Sequence, residues 1–94
     1  MVQSFESIQN FYEQPVFDAI LAAAPNYPHL GAELLADAAC VALNRLPTRY
    51  IRHSVDLAFY MPDKERVDNE RTIAEVVQHA LEFVQARVAM RARR

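Results

Sequence analysis

Gly31 is the only glycine among 94 residues, whereas alanine occurs fifteen times. Tight hairpin turns favour glycine at positive φ, so a sheet built from many short hairpins is disfavoured. Gly-rich phosphate loops and dinucleotide fingerprints need several residues without a Cβ, and both are excluded. Alanine has the highest helix propensity, so the expectation is a mainly α fold. With 52% hydrophobic and 23% charged residues the chain reads as globular rather than disordered. Its length suits one small helical domain over residues 1–94.

Proline supplies most of the punctuation. Phe5, Ile8, Phe11, Tyr12, Val16, Ala19, Ile20 and Ala23 recur at helical spacing, with Ser4 as the expected N-cap. Pro15 interrupts this pattern and must either kink the helix or begin a second one. Two prolines and Gly31 mark residues 25–31 as a loop. A second helix is expected from Ala32 to Arg45, with Glu33 and Asp37 near its start and Arg45 at its end, as the helix dipole favours. Pro47 stops it. This helix is apolar over most of its circumference, which predicts central placement or burial against a second subunit.

From Ile51 the period changes to two. Ile51, His53, Val55, Leu57 and Phe59 alternate with Arg52, Ser54, Asp56, Ala58 and Tyr60, which favours one extended segment over 51–60. A single strand must pair with a neighbouring short piece, pair with its copy across a dimer, or lie unpaired. The last helix is expected from Pro62 to Met90. Ile73, Val77, Ala80, Leu81, Val84 and Val88 form its apolar stripe, and its charged first turns project into solvent. Residues 87–94 read as a basic, frayed tail.

The net charge of −2 conceals a division. Residues 1–44 hold five acids and no Lys or Arg, while residues 45–94 hold all ten bases, nine of them arginine, against seven acids. Arginine suits bidentate recognition of carboxylate, phosphate or guanine edges. A pI near 5.9 does not support affinity for nucleic acid as a whole, and the acidic half would repel DNA. Cys40 is the lone cysteine, which leaves no intrachain disulfide and no Cys-based zinc cluster. Its Ala/Val/Leu surroundings predict a buried small hydrophobe. His29, His53 and His79 are too scattered for a zinc spacing, and His79 reads as a partly buried helix residue. No Ser-His-Asp set has recognisable context. The expectation is a non-enzyme with no cofactor and no metal, cytoplasmic, with neither a secretory leader nor a membrane span.

The densest polar cluster runs from Asn44 through Arg45, Arg49, Tyr50, Arg52, His53 and Asp56 to Tyr60. Arginine forks match phosphate oxygens or the guanine O6/N7 edge, a tyrosine face can stack on a base, and Asp56 can accept from a purine N–H. A solvated linker carrying one or two Arg–carboxylate pairs fits the same composition.

Within residues 37–60, Ala42-Leu43-Asn44-Arg45-Leu46-Pro47-Thr48-Arg49-Tyr50 resembles the signature of the late competence development ComFB family. That signature has an apolar helix with an acidic start, then Ala-Leu-Asn-x-Leu-Pro-Pro-x-Tyr. The resemblance extends more loosely to Asn10-Phe11-Tyr12-Glu13 and the final helix. Thr48 stands where the family often has a second proline. The loop at 25–31 lacks the zinc-associated cysteine cluster of some members, so no metal is implied. The resemblance implies a small, mainly helical homodimer without catalytic activity, and the central helix with the segment after it is the expected dimer interface. One branch of the family looks like receptors for a cyclic dinucleotide, cyclic di-GMP or cyclic di-AMP, acting through a partner protein, and this is the function expected here, with the partner unknown. The ligand residues expected are Arg45, Arg49 and Arg52 on phosphates or guanine edges, Tyr50 stacking, Asp56 or Asn44 reading a base, and His53 beside them. The alternative is a nucleotide-independent interaction module of competence or type IV pilus systems.

Overall fold

Pro15 decides where the first helix can start. Proline has no N–H to donate and is tolerated in a first turn, so the helical period beginning at Phe5 cannot run through it unbroken. The computed structural model describes residues 5–52 and 62–92, and in it the helix makes a fresh start. Strand β1 is Gln9–Asn10, and helix α1 spans Glu13–Ala23 with Pro15 in its first turn. Phe5 and Ile8 therefore lie outside the helix whose apolar face they were expected to join, and both are exposed. Ser4 is outside the described residues; Tyr12 occupies the N-cap position, without a side-chain cap. Asn10 does the local work instead. Its N–H donates to Glu13 Oε2 at 2.8 Å, and its Oδ1 accepts from the Tyr12 N–H at 3.3 Å. This Asn-x-x-Glu exchange has the chemistry of a capping box.

After a 3₁₀ turn at Ala24–Asn26, helix α2 spans Ala32–Asn44, one residue short of expectation. Gly31 caps it with φ −79° and ψ −178°, and its carbonyl accepts from Leu35 N–H at 2.9 Å. A Cβ at Gly31 would meet nothing within 4 Å, so the sole glycine is not required by its backbone. The chain leaves the helix at Arg45, two residues before Pro47.

The alternating segment begins as strand β2, Tyr50–Ile51. It pairs antiparallel with β1, Gln9 opposite Ile51 and Asn10 opposite Tyr50. The extended piece thus finds its partner in the chain's own N-terminal stretch. Phe11 N–H donates to the Arg49 carbonyl at 2.6 Å, and Arg49 N–H donates to Asn10 Oδ1 at 3.0 Å. The rest of the expected 51–60 segment, from residue 53 on, lies outside the described residues. Helix α3, Asp63–Ala92, has 30 residues and is about 45 Å long. It carries Arg87 and Arg91 within its length.

The described core sits where α3 crosses α2 and α1, with α2 its more extensive neighbour. Val16 and Ile20 enter from α1, and Ile73, Val77, Leu81 and Val84 from α3. Ala38, Ala42 and Ala80 are fully buried, so the α2–α3 seam is set by small side chains that let the helices approach closely. The alanine-rich composition therefore does two things: it favours helix, and it fills the seam.

The Asn10 side chain ties β1 to both the chain entering β2 and the start of α1. Asn10→Ala removes the acceptor for two backbone N–H groups, so we expect a loss of about 1–2 kcal/mol. Thermal unfolding should show a drop of about 4–16 °C for a domain of this size, with Asn10→Asp close to wild type. An unchanged melting temperature for Asn10→Ala would remove this residue from the account.

Candidate functional site

The connection from α2 to β2 distributes its arginines along α3. Arg45, the C-cap of α2, reaches across with Nη1 2.5 Å from His79 Nδ1. A guanidinium has only donors, so Nδ1 accepts. The same guanidinium lies 5.8 Å from the Phe83 ring centroid, and Arg87 lies 5.9 Å from it. His79, expected to be partly buried, is exposed and faces Arg45: the stripe of Val77, Ala80, Leu81 and Val84 already fills the buried side of α3.

Arg49 goes elsewhere. Its Nη1 is 2.6 Å from Glu65 Oε1, with side-chain exposures of 44% and 40%. An exposed pair of this kind stabilises by about 0–1 kcal/mol, so a competing anion can displace Glu65 at little cost. Glu65 and His79 are fourteen residues apart on α3, a rise of about 21 Å. The structure therefore separates Arg45 from Arg49 instead of converging them on one point.

The other expected residues divide accordingly. Asn44 ends α2 and is exposed. Tyr50, on β2, is 69% exposed, and Arg52, just after it, is exposed too. Arg49, Tyr50 and Arg52 are thus all exposed where the chain enters and leaves β2. His53, Asp56 and Tyr60 lie outside the described residues. Arg49 has a carboxylate partner, as the linker reading expects. That reading does not describe Arg45, which is paired with an imidazole and an aromatic ring.

Two grooves flank α2. Between α1 and α2 an apolar groove of about 480 Å³ is lined by Phe17, Leu21, Ala36, Ala39, Cys40 and Leu43. Cys40 is exposed there, against the expectation of burial. The helical period gives the buried positions to Ala38, Ala39 and Ala42 and leaves Cys40 on the outward edge. On the other side of α2, a groove of about 330 Å³ is lined by Leu34, Asp37, Val41 and the end of α3. His79, Phe83, Arg87 and Arg91 belong to this α3 edge, and sequence reasoning missed them as a set. Their four-residue spacing was the available signal.

Among the described residues, no buried side chain is polar or charged. No group of three or more His, Cys, Asp or Glu residues there is arranged to hold a metal ion. No described helix is long and apolar enough to cross a membrane. The described residues form three helices and a short two-stranded sheet, with their polar chemistry on exposed edges. The chain belongs to the family of the late competence development protein ComFB, whose model matches residues 9–88. Membership fits a competence-related regulatory protein. No curated protein and no solved structure matches the chain.

Proposed function

We propose that the protein is a non-enzymatic regulator that binds a cyclic dinucleotide, cyclic di-GMP or cyclic di-AMP, and acts through a partner protein. The observation that carries this reading is the corner at β2. Arg49 is held by an exposed ion pair, while Tyr50 offers an uncovered ring and Arg52 a second cation. Two exposed guanidinium groups and an exposed tyrosine within four residues of chain suit a phosphodiester joined to a base. His53 follows directly in the chain and Asp56 three residues later, and both remain candidates for the base edge, as does Asn44. Arg45 has a different role here: it braces Phe83 across the α2–α3 seam. Ligand binding acts on the partner by favouring one of two surface arrangements, to the extent that the ligand prefers it.

Titration calorimetry of the folded protein with each cyclic dinucleotide tests the reading. We expect a dissociation constant in the micromolar range or tighter for one of them, and no comparable heat with the linear dinucleotide. No heat for either cyclic ligand at tens of micromolar protein would overturn it.

The α1–α2 groove favours a second statement, that the protein is a homodimer. Phe17 and Leu21 project beside a hollow lined by Ala36, Ala39 and Cys40, so knob and hole lie on one patch. A two-fold interface needs such a self-complementary surface. A nucleotide-independent interaction module uses the same groove for another protein, and oligomeric mass distinguishes the two.

A further inference from the structure

The groove between α2 and the end of α3 has a floor and a rim of different chemistry. Leu34, Val41, Val84 and Val88 supply an aliphatic floor, and Arg87 and Arg91 supply a cationic rim. The two arginines are four residues apart, about 6 Å along the helix. Neither has a carboxylate partner among the described residues, although Asp37 lines the same groove. We propose that this groove seats an acidic amphipathic helix of a partner protein. Apolar anchors at i, i+3 and i+7 of such a helix match an aliphatic trough, and carboxylates at i and i+4 match the arginine spacing.

The geometry favours this occupant over a nucleotide. Phe83 is the aromatic ring of the groove, and the guanidinium groups of Arg45 and Arg87 already lie within 6 Å of its centroid. A base seeking a stacking face meets a ring already engaged by cations. Charge complementarity selects the sign of the partner, because two arginines against one aspartate, Asp37, line the groove. The inference goes beyond the dinucleotide reading and does not rest on it: the two sites share no residue.

The probe is a labelled synthetic peptide of about sixteen residues, with leucines at i, i+3 and i+7 and glutamates at two flanking positions four apart. Fluorescence anisotropy with the full chain should give a micromolar dissociation constant that weakens as salt rises. The double variant Arg87→Glu/Arg91→Glu should bind at least tenfold more weakly, and Arg91→Ala alone severalfold more weakly, with circular dichroism unchanged. Arg49→Ala should bind the peptide like wild type, and a peptide with lysines in place of the glutamates should not bind. The proposal is overturned by equal binding of the lysine peptide, by undiminished binding to folded Arg91→Ala, or by no anisotropy change at millimolar protein. A change in oligomeric mass on Arg91→Ala would overturn it too, since a second copy would then be the occupant.

Discussion

Leu81→Ala should lower the melting temperature by about 12–24 °C, the expected consequence of losing about 3 kcal/mol in a domain of this size. Leu81 has no exposed surface and sits on α3 between Val77 and Val84, where α3 meets the other two helices. Truncation removes its transfer energy and leaves a cavity that the surrounding helices close only in part. Folded domains have total stabilities of only about 5–15 kcal/mol, so this one change removes a large fraction of the reserve. The alanines of the same core cluster sharpen the expectation. Ala38, Ala42 and Ala80 are fully buried, and their short side chains cannot swing in to fill the space. Calorimetric or circular dichroism melting checks it. A loss below about 1 kcal/mol would mean that Leu81 is not at the centre of the core.

Leu21→Glu should convert a dimer into a monomer without unfolding it. Leu21 is 67% exposed in the single chain, so the change costs the isolated domain little. In a two-fold pair it would place a carboxylate against the apolar groove of Phe17, Ala36, Ala39, Cys40 and Leu43, where burial of an unpaired charge is strongly unfavourable. Light scattering after size exclusion should show twice the chain mass for wild type and one chain mass for the variant, with similar melting of the helices. A wild type that is monomeric at about 100 μM, or a variant that remains dimeric, would remove the α1–α2 groove as the self-association surface.

The long periodic segments were the legible part of the fold. In α2 and α3, apolar spacing, acidic first turns and Pro47 fixed the element type and most of each boundary. The start of α1 was harder to read because two preferences compete there. Phe5 and Ile8 fit the helical period, but Pro15 and the pairing of Gln9–Asn10 with Tyr50–Ile51 favour a later start. That pairing joins residues about forty positions apart, and no local pattern reports it. The apolar neighbours of Cys40 suggest burial, but its exposure depends on which side of α2 the other helices cover. In the candidate site, sequence proximity suggested that Arg45 and Arg49 act together. The turn at Pro47 sends them to places on α3 about four helical turns apart, and only the packing of α2 on α3 shows this.

The most direct test of the central claim compares two double variants in one titration. Arg49→Ala/Arg52→Ala changes the corner at β2, and Arg87→Ala/Arg91→Ala changes the α3 rim. Calorimetry with the cyclic dinucleotide that binds wild type should show at least a tenfold loss of affinity for the first and none for the second. Both pairs are on exposed surface, so circular dichroism should show both proteins folded. Undiminished binding by the corner variant, or loss confined to the rim variant, would contradict a dinucleotide site built on Arg49, Tyr50 and Arg52.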